Sequence, residues 1–187
     1  MKGIIRYITN NLVNGGIISP SEYDIYFFGL YEGSLFIFNL IMTLIIATII
    51  GSLQDGILFL IFFFPIRRLA GGFHAETRKK CWIISMLIVS GAMIGIKMLS
   101  NIQDIWKMAI IILSSFEVIR LSPVTNLRKP LSQIEVRQYR KKLIIIIVVE
   151  NFLGFLGYFF GNEWVVSCIT VALTCCCGLC VFGKIFN

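Results

Sequence analysis

Apolar residues in this chain come in long blocks, not in alternation. Read from the N-terminus, six apolar segments stand out, at Leu35–Ile50, Gly56–Ile66, Trp82–Leu99, Ile105–Ile119, Leu143–Phe160 and Trp164–Phe182. Polar connectors separate them at Ser52–Asp55, Arg67–Cys81, Ser100–Asp104, Arg120–Lys142 and Gly161–Glu163. A helix of ~17–25 mostly apolar residues spans a ~30 Å hydrocarbon core, so the pattern predicts an all-α, polytopic integral membrane bundle with about six apolar segments. The second is the exception. Its eleven residues rise only ~16 Å as a helix, which predicts either a short span in a thinned region or a re-entrant segment dipping into the protein interior. Ahead of the six, Ile4, Ile5, Ile8 and Leu12 recur at helical spacing with Lys2, Arg6 and Asn11 between them. That pattern predicts a short amphipathic helix, lying on a membrane surface or packed on the rest of the protein. The first twenty residues lack the uninterrupted apolar core and small-residue cleavage site of a secretory signal, so no leader is expected to be removed.

Composition sharpens this picture by exclusion. With 57% hydrophobic and 14% charged residues, the chain is far from the roughly one-quarter charged share of a soluble domain. The expectation is a single membrane-embedded domain over residues 1–187. Six cysteines are too few for a disulfide scaffold. A lone histidine cannot make the H-E-x-x-H pair of a zinc hydrolase, and no glycine-rich phosphate loop is present; neither metal nor cofactor is expected.

The net charge of +7 is read first as topology. With a cytosolic N-terminus and six crossings, the N-terminal helix, the Arg67–Cys81 and Arg120–Lys142 connectors and Lys184 share one side, and only Lys97 and Lys107 fall near the other. That is fifteen of the seventeen basic residues, a strong positive-inside asymmetry, which places both termini in the cytosol. Since topology accounts for the basic charge, no nucleic-acid partner is expected.

The connector RRLAGGFHAETRKKCW, residues 67–82, holds the most unusual local chemistry. His74 follows Gly71-Gly72, and Cys81 comes seven residues later at the start of the third apolar segment. On one helix the two would lie ~10.5 Å apart along the axis, too far for a hydrogen bond, so the backbone between them must bend, with Gly71 and Gly72 supplying the freedom. A helix N-terminus beside Arg78, Lys79 and Lys80 favours the thiolate of Cys81, and His74 would complete a nucleophilic pair. On chemistry alone the alternative stands level: Cys81 a small interfacial residue, His74 an incidental polar one.

The stretch R-R-L-A-G-G-F-H-A-E-T-x-x-x-C, with a second block made of Ser122-Pro123-Val124, Asn126 and Lys129-Pro130-Leu131, resembles the accessory gene regulator B family over almost the whole chain. The resemblance implies a multi-pass cysteine endopeptidase of the bacterial plasma membrane. Such an enzyme cuts a quorum-sensing precursor peptide and promotes its closure to a cyclic thiolactone or lactone. It implies Cys81 as nucleophile, His74 as its partner, Arg67 and Gly72 at matching positions, membrane lipids and the precursor as partners, and a homodimer. Arg67 is read as a ligand for a substrate carboxylate or lipid head group, or as a plain topology determinant; Gly72 as permitting a tight backbone path. The second basic connector, with Arg128 and Lys129, is a head-group face or an attractor for an acidic precursor tail. Glu117 and Glu150, within or beside apolar segments, are expected to orient His74, to pair with Arg67 or Lys142, or to stay protonated. Cys168, Cys175, Cys176, Cys177 and Cys180 read as small residues of a helix interface. The competing class is a small membrane transporter or peptide exporter without chemistry.

Overall fold

The computed structural model describes residues 2–73, 77–124 and 132–186, and all regular structure among the described residues is helical. In chain order the elements are α1 (Lys2–Asn14), a 3-10 turn (Pro20–Glu22), α2 (Tyr23–Ile50), α3 (Leu53–Ala70), α4 (Arg78–Leu99), α5 (Asp104–Leu121), α6 (Gln133–Phe159) and α7 (Glu163–Phe186). Each apolar segment of the sequence falls on its own helix from α2 to α7, but several helices start well before the apolar run does. Capping chemistry is the reason. At α6 the Ser132 hydroxyl accepts from the Glu135 N–H (3.3 Å) while the Glu135 carboxylate accepts from the Ser132 N–H (2.8 Å). This reciprocal pair satisfies orphan donors and lets the helix begin ten residues ahead of Leu143. At α3 the Ser52 hydroxyl accepts from the Asp55 N–H at 3.1 Å.

The second segment therefore differs from expectation. It belongs to an 18-residue helix, which rises ~27 Å, well beyond its eleven apolar residues. Among the described residues, four helices are long and apolar enough to cross a membrane: Pro20–Ile50, Lys79–Leu99, Gln133–Phe159 and Glu163–Phe186. α3 and α5 have 18 residues each but spend them partly on charge, Asp55, Arg67 and Arg68 in one and Asp104, Lys107, Glu117 and Arg120 in the other.

Two compact units divide the chain within α2, Met1–Thr43 and Leu44–Asn187. In the first, α1 buries Ile5 and Thr9 and leaves Ile4 and Ile8 exposed, so its inward stripe is turned from the one the isoleucines suggest. The buried Thr9 hydroxyl is satisfied by the Ile5 carbonyl at 2.8 Å. Tyr23, Phe27 and Tyr31 stack at i, i+4 spacing with ring centroids 6.1 and 6.3 Å apart, and the Lys2 ammonium sits over the Tyr31 ring.

In the second unit α7 is the central helix, packed by α3, α4, α5 and α6. Its buried positions are dominated by small side chains, among them Ser167, Cys168, Thr170, Ala172, Cys176, Cys180 and Gly183. Where helices share an apolar solvent, close backbone approach replaces the hydrophobic effect as the main gain, and small residues permit it. All six cysteines are free, with Cys168, Cys176 and Cys180 buried. Larger side chains of the neighbours, including Phe59, Ile66, Met93, Ile111 and Leu143, close the core around this helix.

The starts of α3 and α7 are tied by a hydrogen bond from the Trp164 indole to Asp55 (2.6 Å). Lys107, which the charge pattern places near a membrane face, is fully buried and paired with Asp104 at 2.7 Å. At the opposite end of the same helices, the C-terminal turns of α3, α5 and α7 converge, and the site is built there.

Candidate active site

Three helix C-termini meeting at one place present a concentration of unpaired carbonyls and the negative ends of three helix dipoles. The chain answers with a guanidinium and two glycines. α3 ends at Ala70, and Gly71 (φ 72°) and Gly72 (φ 117°) turn the backbone away in the left-handed region that a side chain resists. Arg67, one turn before the end of α3, folds forward so that Nη1 donates to the Gly71 carbonyl and Nη2 to the Phe73 carbonyl, the latter at 2.8 Å. A planar fork of donors suits two carbonyls at fixed separation.

The turn is held from two other sides. The Val124 N–H, just past α5, donates to the Ala70 carbonyl at 2.8 Å, and Gly71 and Val124 form a single parallel bridge. The Phe73 N–H donates to the Leu179 carbonyl of α7 at 2.9 Å. This approach leaves no space for a side chain at either glycine facing it. A Cβ on Gly72 would lie 2.8 Å from Arg67 Nη1 and 2.9 Å from the Leu179 oxygen, and one on Gly183 would lie 2.6 Å from both the Gly72 carbonyl carbon and the Phe73 nitrogen. Below the turn, the Ser122 hydroxyl and Cys180 thiol lie 3.5 Å apart.

α4 then starts at Arg78, with Thr77 as N-cap accepting from the Lys80 N–H at 3.3 Å. Cys81 sits in the first turn, exposed, its N–H donating to the Thr77 carbonyl at 3.0 Å. Among the residues expected from sequence, Arg67 and Gly72 meet at this turn, and Cys81 stands in the first turn of the following helix. His74, Arg128 and Lys129 lie outside the described residues.

Arg67 holds the loop backbone, a role absent from the sequence alternatives. Arg67→Met is expected to leave the Gly71 and Phe73 carbonyls without their charged donor, at a cost of about 1–3 kcal/mol; thermal unfolding in detergent checks it. Glu117 is paired with Arg120 at 2.7 Å, neither with Arg67 nor with Lys142. Glu150 is buried, and its Oε2 has no hydrogen-bond partner.

Sequence reasoning missed Gly183 and Leu179, and gave Val124, in its second block, no part in holding the turn. Of the first two, only Gly183 left a trace: Cys176, Cys180 and Gly183 are spaced i, i+4, i+7, a stripe of small residues on one face of α7.

A family model described as Accessory gene regulator B matches residues 2–181. A protein named AgrB-like from Lactiplantibacillus plantarum is 28% identical over 119 residues, 63% of this chain. The match spans 60% of that relative's length. No solved structure matches.

Proposed function

Because the chain belongs to the accessory gene regulator B family, we propose that this membrane protein is a cysteine endopeptidase that cleaves a quorum-sensing precursor peptide and promotes its cyclisation. The Cys81 thiolate attacks the scissile amide carbonyl, and the C–N bond breaks as the His74 imidazolium gives its proton to the leaving amine. The acyl group is left as a thioester on Cys81. A thiol or hydroxyl of the same precursor, held close, then attacks the thioester and loses its proton to His74, and the Cys81 thiolate departs from the closed thiolactone or lactone. Ring closure outcompetes hydrolysis when the internal nucleophile is prepositioned and water is scarce. A thiolactone is higher in energy than the amide consumed, so the sequence runs forward only while product is removed.

The observation that supports this reading is a clamped turn that ends at the residue before His74, with Cys81 exposed in the first turn of the helix that follows. The backbone is clamped at Phe73, the residue before His74, by Arg67 and Leu179, and Cys81 lies at the start of the next helix. The second reading, an exporter without chemistry, is favoured by the buried, unpartnered Glu150 oxygen in α6. It is tested by the same variant: purified protein in liposomes with a cognate precursor should lose all processing on Cys81→Ala, whereas an exporter would be indifferent to it.

The site faces the cytosol in this proposal, in a multi-pass protein of the plasma membrane with both termini inside and the homodimer as its assembled form. Cysteines introduced at Gln103 and Asn162 are expected to react with an impermeant maleimide in sealed cells, and those at Lys79 and Lys129 only after permeabilisation. External labelling of the latter pair would overturn the orientation.

A further inference from the structure

Between α4 and α7, directly against the clamped turn, lies a cavity of about 550 Å³, within the ~300–1,000 Å³ range of small-ligand pockets. Ile84, Ile88 and Gly91 line it from α4, Gly178 and Phe182 from α7, and Phe73 from the turn. Among the described residues, no charged side chain lines it. Two features connect it with the site. At 100° per residue, positions i, i+3, i+7 and i+10 share one face of a helix, so Cys81, Ile84, Ile88 and Gly91 form a single stripe with the thiol at its start. Phe73, on the opposite wall, immediately precedes His74 and is held there by the Leu179 carbonyl. The cavity therefore lies along the helix face that Cys81 begins, with the residue before His74 on its other wall.

Its space exists because two helices lack side chains where they face each other. A Cβ added at Gly91 or at Gly178 meets nothing within 4 Å. This is the reverse of Gly72 and Gly183, whose missing side chains allow backbone contact. The energetics select the occupant: an apolar side chain transferred here from water gains roughly 1.5–3 kcal/mol, while a carboxylate would be desolvated with no partner among the described lining residues.

We propose that this cavity is the subsite that receives an apolar side chain of the precursor within a residue or two of the scissile carbonyl, with Gly91 and Gly178 setting the size it accepts. The inference rests on Cys81 as nucleophile, and its test separates the two. The probes are acetyl-Xaa-Xaa-chloromethyl ketones with Xaa as Phe, Ala or Asp. In each, the Cys81 thiolate displaces chloride from the methylene, a C–S bond forming as the C–Cl bond breaks. The protein is the full chain in liposomes, and intact mass gives the rate. Iodoacetamide, which needs no subsite, reports the intrinsic reactivity of the same thiol.

The Phe probe is expected to modify Cys81 at least ~10-fold faster than the Ala probe, with Asp slowest. Gly91→Leu and Gly178→Leu, each filling open space, should cut the Phe-over-Ala ratio to below ~3-fold with the iodoacetamide rate unchanged. The two substitutions sit on different helices, so misfolding of one leaves the other as the test. Equal Phe and Ala rates in the unsubstituted protein, or a Phe preference that survives both leucines, overturn the subsite and leave the cavity to a lipid acyl chain. Failure of every peptide probe at a Cys81 that iodoacetamide still modifies overturns the nucleophile, and the subsite with it.

Discussion

Cys81→Ala is expected to give a folded, membrane-inserted protein that binds precursor and forms no covalent adduct. Cys81 is exposed in the first turn of α4 and its backbone, not its sulfur, makes the helix hydrogen bond to Thr77, so removing the sulfur leaves the capping intact. Cys81→Ser should abolish rapid turnover and trap at most a slower oxygen ester. His74→Ala should retain binding, because neither basic connector changes, and slow acylation by the ~10²–10⁴-fold typical of a lost general acid–base group. Intact mass of the protein after exposure to precursor, with and without hydroxylamine, separates these cases. An adduct that survives Cys81→Ala would move the chemistry to another residue, and unimpaired acylation in His74→Ala would remove the histidine from the mechanism.

The second large effect is expected from a residue with no chemistry. Gly183→Val brings a side chain to a place where even a Cβ would lie 2.6 Å from the Gly72 and Phe73 backbone. The turn must lift from α7, and the Phe73 N–H loses the Leu179 carbonyl. Overpacking of this kind costs about 1–3 kcal/mol, which a multi-helix bundle can absorb. Activity is the more sensitive readout, since a shift of about 1 Å in a positioned catalytic group can cost ~10²-fold. The expected result is a protein whose iodoacetamide reaction at Cys81 is normal while precursor processing falls by about two orders of magnitude. Gly178→Val, five residues earlier and facing open space, should keep that clamp intact. Equal activity of Gly183→Val and the unsubstituted protein would show that the turn does not depend on its α7 floor.

Much of the helical order was legible because hydrophobic runs and connectors obey simple length rules. The places where reading failed have identifiable causes. α3 looked too short since Arg67 and Arg68 were assigned to a connector, whereas the helix continues to Ala70 and uses its last turn to aim Arg67 at the carbonyls beyond. α6 looked to begin at Leu143 since its first turns are basic, but Ser132 and Glu135 cap it ten residues earlier. Around the candidate site, the helix start at Cys81 and the backbone turn at the glycine pair were recognisable, as helix start and backbone freedom act over a few residues. The role of Arg67 was not recognisable, because an arginine at the end of an apolar segment suits topology, head groups and carbonyls equally well until the turn is folded. Gly183 was still less so: its partner is 111 residues away at Gly72, and nothing in an apolar helix distinguishes a glycine that admits a neighbouring backbone from one that merely leaves a gap.

That separation bears on how this protein can be recombined with its relatives. The turn at residues 71–73 and the last turns of α7 form one fitted joint, as do Gly71 and Val124, although they come from opposite halves of the gene. A hybrid with its crossover anywhere between residues 73 and 179 takes the two halves of that joint from different parents. Its failure would report a mismatch of backbone shapes, and would be mistaken for a determinant of peptide recognition lying in whichever half was exchanged. Hybrids intended to map recognition should carry residues 71–73, 122–124 and 176–183 together as one block.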